Sequence, residues 1–442
     1  MEVQIASGSP EVGNYFIANY PPFSVWTPQN VPAAIESLDA KAAGTDAAPL
    51  GLYLHIPFCR QRCKFCYFRV YTDKNSNDVD TYIDALAHET ELYAQRSAFA
   101  GREFDFVYFG GGTPSFLSSD QLQRLIDRIS KHWRWDAARE VTFECEPGTF
   151  RKSKLETVKA IGVTRLSLGV EHFDDDVLTL NGRGHKSPDV FRAYDMAREV
   201  GFDHLNIDLI AGLLGDTEAK WKKAVATALE LAPDSLTIYQ MELPHNTVFV
   251  REAKETGKSI SVADTATKRA WVDYAFCQFE QAGYVVSSAY TVTKPAINGR
   301  QVDFIYRDAL WRGADMIGTG VASFSHVAGM HFQNADDWET YVSTLQEGEL
   351  PIARALPVTD HQRLIREFAL QLKLGRIDAA YFRDKFGVEV SDVFAEPIQS
   401  LVDDGFAQVD GDEMRLTRSG LLCADGLMLR FFEPQFRSIR YT

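Results

Sequence analysis

Three cysteines fall within eight residues, Cys59, Cys63 and Cys66, in the segment HIPFCRQRCKFCYF. Cys145, Cys277 and Cys423 are scattered and read as small core residues. Soft thiolates on one short loop can converge on a single centre, and they suit an iron–sulfur cluster or zinc. Structural zinc calls for a fourth Cys or His. His55 stands just upstream, but inside a predicted strand. Three thiolates on a cluster leave one iron open, which a substrate can chelate. A disulfide framework would not take this spacing in a large chain.

Other residues could serve the same centre. GGGTP, Gly110–Pro114, would let backbone N–H groups approach a polar ligand closely, although a plain tight turn has the same composition. Glu144 in FECEP, Glu171 in LGVEHF and Asp208 in NIDLI are carboxylates in or at the ends of apolar runs. Burial of such groups is costly without a partner, so together they suggest a polar pocket, against the plainer reading of wet strand ends. Arg183 in NGRGHK is a candidate carboxylate or ribose contact, or a surface arginine. Tyr53 and His55 alternate onto one face of the first strand; a lone histidine there is as well explained by core packing. Tyr67 and Phe68 would shield a cluster, stack on an adenine or pack the loop. Tyr290 in SSAYTVTK joins His55 and Glu171 as a candidate for chemistry on the substrate.

The elements that must position these residues follow a regular rhythm. Short apolar, β-prone runs occupy 52–56, 106–109, 141–145, 165–170, 205–210 and 235–239. Each is followed by a helical pattern, at 79–94, 121–129, 154–161, 189–200, 218–231 and 262–282. Six strand–helix units in series predict an α/β fold with a parallel sheet and right-handed crossovers. Periodicity alone leaves a partial barrel and an open doubly wound sheet both standing. Either places chemistry at the C-terminal strand ends, where these motifs fall.

Four segments are expected: an N-terminal extension over 1–48 with a linker near Thr45–Pro49, the strand–helix region 49–300, a connecting or capping segment 301–355, and a small unit 356–442. The last combines helices with two short strands and reads as winged-helix-like. In a chain of net charge −15 a lid or packing role suits it better than DNA binding. The same acid excess argues against nucleic-acid and anionic-membrane partners. No apolar run approaches a membrane span and the N-terminus does not read as a secretory signal, so a cytoplasmic protein is expected.

The C-x₃-C-x₂-C spacing on the first βα loop resembles the signature of radical S-adenosylmethionine enzymes. That resemblance implies a [4Fe–4S] cluster on Cys59, Cys63 and Cys66, and S-adenosylmethionine cut to a 5′-deoxyadenosyl radical. LYLHIPFCRQRCKFC, YFGGGTPSFL, RLSLGVEHF, NIDLIAGL and IGTGVASF are similar to the oxygen-independent coproporphyrinogen III oxidase-like group, over roughly residues 50–435. The group implies a six-stranded partial barrel. It also implies cosubstrate contacts by Tyr53, Phe65, Gly111, Gly112, Thr113, Glu144, Glu171, Arg183 and Asp208, and a second S-adenosylmethionine near Gln240, Met241 and Ile317. A flavodoxin or ferredoxin would supply electrons, and a small molecule would be the substrate.

Two departures stand out. Phe68 occupies the position of the oxidases' fourth cysteine, and YRDALW lacks the histidine of the related haem chaperones. CYFRVYTDKN and NYPPFSVW resemble class C radical methyltransferases and cyclopropane-forming enzymes. The expectation from sequence is therefore a methyltransferase or cyclopropanase of natural-product biosynthesis acting on an unsaturated small molecule, with a coproporphyrinogen oxidase or haem chaperone as the alternative.

Overall fold

The structure is a computed structural model that describes residues 18–40, 48–149, 151–257, 260–297 and 300–439. Most of the expected linker and the first 17 residues lie outside the described residues. By its internal contacts the chain forms two compact bodies. One comprises Trp26–Ile207 and Asp303–Val358; the other comprises Asp208–Val302, Thr359 onwards and the described residues up to Val25. Each body is drawn from stretches distant in sequence.

In the first body β1 (Leu50–Ile56), β2 (Phe104–Gly111), β3 (Glu140–Cys145) and β4 (Arg165–Glu171) lie side by side and parallel. Their near-continuous apolar composition suits strands covered on both faces. β5 (His204–Ala211) begins in this body and ends in the other, and β6 (Ser235–Gln240) belongs wholly to the other. The region after 303 adds β7 (Asp315–Thr319), parallel to β1 on the flank away from β2. β8 (Phe324–Val327), β9 (Met330–Asn334) and β10 (Ile352–Pro357) continue antiparallel from it.

The intervening helices start where local chemistry closes their N-termini. Helix Ser76–Ala94 begins three residues before its apolar stripe because Asn75 and Asp78 form a reciprocal capping box. Its face Val79, Tyr82, Ile83, Leu86 and Tyr93 is buried. Ser118 and Gln121 cap Ser119–Ile129 in the same way. Helix Ser187–Val200 stops at Gly201, which takes the left-handed conformation at φ 81°.

In the second body β6 pairs antiparallel with Thr291–Thr293, and that strand with Val285–Val286. The C-terminal part runs helix Asp360–Leu372, strand Arg376–Asp378, helices Ala379–Phe386 and Ala395–Asp403, then strands Ala407–Asp410 and Glu413–Leu416. The three strands form one sheet with Glu413–Leu416 in the middle, a winged-helix-like arrangement. Phe368, Phe382, Phe394 and Phe431 fill its core. Among the described residues no helix is long and apolar enough to cross a membrane.

Candidate active site at the cysteine loop

Backbone bonds close the cysteine loop at its base. The Cys59 amide donates to the Tyr71 carbonyl at 3.0 Å, and the Tyr71 amide donates to the Pro57 carbonyl at 2.8 Å. The Cys66 amide donates to the Cys63 carbonyl at 3.1 Å, a tight turn that brings the last two cysteines together. The Lys64 amide donates to the Asn181 carbonyl at 3.0 Å, so the turn before Arg183 supports the loop.

Two side chains from outside the loop reach the sulfurs, Thr113 just past β2 and Arg183 in the turn between helices Asp175–Leu180 and Ser187–Val200. The Thr113 hydroxyl lies 3.3 Å from Cys59 Sγ. Arg183 Nη1 donates to Cys63 Sγ at 3.1 Å and its Nη2 to the Gly169 carbonyl at 2.5 Å, while the guanidinium stands 3.6 Å from the Glu171 carboxylate. Burial works against the Arg183 charge, but Cys63, Glu171 and Glu146 outweigh it and hold the guanidinium protonated. Glu171 itself sits at φ 64°, a conformation that costs a non-glycine residue on the order of 1 kcal/mol or more and is kept only where neighbours enforce it.

Burial pushes the Cys59 thiol up to about 12 and the Cys66 thiol up to about 11; the Thr113 hydroxyl opposes the shift at Cys59, and Arg62 and Arg183 oppose it at Cys66. Thiolates here therefore need the charge of a bound centre as well as these donors.

The glycine turn packs back on the same loop. The Gly112 amide donates to the Ile56 carbonyl at 2.8 Å, and a Cβ there would lie 2.8 Å from Pro57 and 3.0 Å from the Phe58 carbonyl oxygen. Gly111, at φ 110°, leaves room for His55, whose ring would meet a Cβ at 2.6 Å. His55 is 6% exposed, 3.4 Å from the Arg69 carbonyl, and burial pulls its imidazole down to about 4.

Deeper in the sheet, Tyr53 and Tyr108 share a register level and stack at 5.7 Å. Tyr108 donates to Glu144 at 2.6 Å and its ring meets Tyr306 at 4.2 Å. Burial first, then the Glu144 charge, keeps the Tyr53 and Tyr306 phenols neutral. Glu140 accepts from the Ile305 and Tyr306 amides at 3.3 and 3.1 Å, which fixes Tyr306 at the start of helix Ile305–Trp311.

The first body thus gathers Cys59, Cys63, Cys66, Gly111, Gly112, Thr113, Glu171, Arg183 and His55 about one loop, with Tyr53 and Glu144 beneath in the aromatic stack. Phe65 is half-buried within the loop, and Ile317, 1% exposed, pairs with Leu52 in the sheet. The other candidates belong to the second body. Asp208 is half-buried on β5. Gln240 ends β6 with a buried Oε1 that has no hydrogen-bond partner among the described residues. The Met241 amide donates to the Ala211 carbonyl at 2.9 Å. Tyr290 donates to the buried Asp425 carboxylate, which also meets Lys373 at 2.9 Å.

Sequence reasoning missed Glu89, although a carboxylate on the buried stripe Tyr82, Leu86, Glu89, Tyr93 was the signal for it. It also missed Tyr108, the partner of Glu144.

Residues 53–228 match the Radical SAM superfamily, and residues 358–423 match the HemN C-terminal domain. The chain belongs to the radical SAM superfamily. It is 28% identical over 399 residues to the oxygen-independent coproporphyrinogen III oxidase of Escherichia coli K12, covering 87% of this chain and 85% of that one. It is 28% identical over 372 residues to the heme chaperone HemW of Bacillus subtilis, covering 84% of this chain and 96% of that one. The solved structure of the Escherichia coli coproporphyrinogen III oxidase superposes with a TM-score of 0.80 at 25% identity, covering 94% of this chain and 96% of that one.

Radical SAM proteins use a [4Fe–4S] cluster and S-adenosylmethionine. The residues present fit that pair: three soft donors on one loop, with a guanidinium and a hydroxyl aimed at two of the sulfurs. The expectation of a methyltransferase or cyclopropane-forming enzyme is corrected by the comparisons, because these relatives spanning the chain are coproporphyrinogen III oxidases and heme chaperones. Several aromatic residues of the motifs behind that expectation are packed against other parts of the chain. The Tyr20 ring meets Phe432 at 4.5 Å, tilted, Trp26 meets His331 at 5.3 Å, and Tyr71 and Lys74 lie against Trp338.

Proposed function

We propose that this chain is an oxygen-independent oxidase of the coproporphyrinogen III oxidase type, acting on the propionate side chains of a porphyrinogen. The observation that carries this reading is the likeness to the Escherichia coli enzyme along nearly the whole of both chains, at a TM-score of 0.80. When bound, the cluster and S-adenosylmethionine would supply a carbon radical that takes a hydrogen atom from the substrate; carbon dioxide then leaves, and one electron passes to an acceptor. Cys59, Cys63 and Cys66 would hold the cluster. Arg183 would hold negative charge at Cys63, and Gly111, Gly112, Thr113 and Glu171 would meet the cosubstrate. A second S-adenosylmethionine is assigned to the end of β6, on the ground that Gln240 Oε1 is buried with no hydrogen-bond partner among the described residues. The partners are a cytoplasmic electron donor and the small-molecule substrate, with no nucleic acid and no membrane.

The test is anaerobic reconstitution, followed by S-adenosylmethionine, dithionite and coproporphyrinogen III. The expected products are 5′-deoxyadenosine and substrate lighter by the mass of lost carboxyl groups. 5′-Deoxyadenosine without any change in the porphyrinogen would refute the substrate, and none at all from cluster-loaded protein would refute the radical chemistry. A second reading, a haem-binding carrier, is supported by the match to 96% of the Bacillus subtilis heme chaperone and by Phe68 at the oxidases' fourth cysteine. It predicts stoichiometric haem binding with no porphyrinogen turnover.

A further inference from the structure

In the second body, helix Thr265–Gln281 starts against the C-terminal ends of β5 and β6, and Lys268 makes the joint. Its ammonium donates to the Met241 carbonyl at 2.6 Å and stands 3.9 Å from the Glu242 carboxylate. Its stem lies so close to Gly212 that a Cβ there would meet Lys268 Cγ at 2.7 Å. Lys268 is 6% exposed, and all its contacts serve the packing of the helix on the strand ends.

Arg269, the next residue, is differently placed. The side chain is half-buried, and its Nε is buried with no hydrogen-bond partner among the described residues. Its charge is felt at Glu242 and at the Cys423 thiol, so it reaches from the strand ends towards the C-terminal helices of the same body. Asp273, one turn further along the helix, is taken by Arg418 at 3.3 Å. Glu242 Oε1 is likewise buried with no hydrogen-bond partner among the described residues. One acid, Glu242, therefore faces two cations, Lys268 and Arg269, and a donor and an acceptor beside it are left unsatisfied.

A guanidinium drawn out of water needs an acceptor. The Nε and one Nη of arginine present parallel N–H bonds, a fork that matches a carboxylate. The position suits a ligand as well, because parallel α/β sheets bind theirs outside the carboxyl ends of the strands. A porphyrinogen offers both complements, carboxylates for the fork and pyrrole N–H groups for the acceptor. It carries several propionates and loses carbon dioxide from one at a time, so the others must be held away from the reacting carbon.

We infer that Arg269 binds a carboxylate of the substrate, a propionate other than the one being decarboxylated, and so selects for a polycarboxylate. This rests on the proposed function and names a specificity residue for its substrate.

The experiment uses the full chain with its cluster, without oxygen. Fluorescence titration measures binding of coproporphyrin III, the stable oxidised form of the substrate, and of its methyl ester in the same detergent buffer. Arg269→Gln is expected to weaken coproporphyrin III binding by about tenfold or more, and Arg269→Lys, which keeps the charge without the fork, by less. The ester should bind the wild type weakly and the variants equally. With dithionite, the KM for coproporphyrinogen III should rise in Arg269→Gln while the rate at saturation stays within about twofold. Equal affinity for coproporphyrin III in the wild type and both variants would overturn the inference. So would a loss of S-adenosylmethionine affinity in its place, since that would give the guanidinium to the carboxylate of the cosubstrate. Wild type that forms 5′-deoxyadenosine but leaves coproporphyrinogen III unchanged would defeat the proposed function alone; binding that depends on Arg269 and on free carboxylates would still uphold the subsite.

Discussion

The Glu89 carboxylate, with no solvent exposure, accepts the Gly320 amide at 2.7 Å. It also receives Asn334 Nδ2 and the Tyr341 hydroxyl, each at 2.6 Å. Gly320, at φ 102°, lies so close to His55 and Tyr82 that a Cβ would meet the Tyr82 hydroxyl at 2.5 Å. That hydroxyl donates to the His55 carbonyl at 2.9 Å and accepts from the Val321 amide at 3.1 Å. Glu89 therefore fixes the turn after β7 against the strand that leads into the cysteine loop.

Burial pushes the Glu89 carboxyl from 4.5 up to about 7, although its three donors pull the other way. A folded value above the unfolded one means that the native state holds the proton more tightly. That stability is complete below pH 4.5 and is lost as the pH rises through about 7. Glu89→Gln does not titrate. Relative to this variant, the wild type should lose roughly 2–3 kcal/mol between about pH 5 and pH 8, by linkage. Urea unfolding of both proteins at the two pH values measures the gap; a gap that does not move with pH would mean that Glu89 does not titrate in the folded protein.

Arg183 is the second prediction. Its planar fork serves Cys63, Gly169 and Glu171 together, a geometry that lysine cannot reproduce. Arg183→Lys should retain the fold but lower iron and sulfide per chain after reconstitution, and reduce 5′-deoxyadenosine formation by about tenfold or more. Full cluster content and full rate in the variant would make Arg183 a packing residue only.

Gly112 gives a third. An added Cβ meets backbone atoms at 2.8 to 3.0 Å on the segment that leads into Cys59, and backbone cannot swing aside as a side chain can. Gly112→Ala should cost about 1–3 kcal/mol and weaken S-adenosylmethionine binding. The same melting curve and the same calorimetric affinity as the wild type would contradict the close packing of the glycine turn on the cysteine loop.

Much of this site was legible in the sequence because its chemistry is local. The three cysteines and GGGTP sit in short loops directly after apolar runs. What stayed hidden depends on pairing between distant segments. β7 lies outside the six strand–helix units read from the sequence, and its parallel pairing with β1 reveals a sheet strand in Asp315–Thr319. Glu89 was visible as a carboxylate on an apolar stripe, but its partners come from residues 320, 334 and 341. The reaction was misread for a related reason: aromatic motifs that fill packing sites in this chain look alike whether the neighbouring chemistry is methyl transfer or decarboxylation.

The final prediction concerns Tyr290, a candidate for catalysis on sequence alone. In the second body its hydroxyl is committed to Asp425, and Asp425 to Lys373, whose carbonyl in turn accepts the Ala289 amide at 2.7 Å. Lys373 and Asp425 are 0% and 2% exposed, and burial pulls the Lys373 ammonium well below its ordinary range. Removing one partner leaves the other charge buried without its match, which costs about 3–5 kcal/mol, whereas replacing both with apolar groups is often close to neutral. Lys373→Met and Asp425→Leu should each lower stability by that amount, and the double variant should recover most of the loss. Tyr290→Phe removes only a hydrogen bond to a charged group and should cost about 1.5–3 kcal/mol. A double-mutant cycle by urea unfolding checks all three. Additive losses would mean that the ion pair does not join the Tyr290 strand to the C-terminal helices, and would return the Tyr290 hydroxyl to the list of groups available to a substrate.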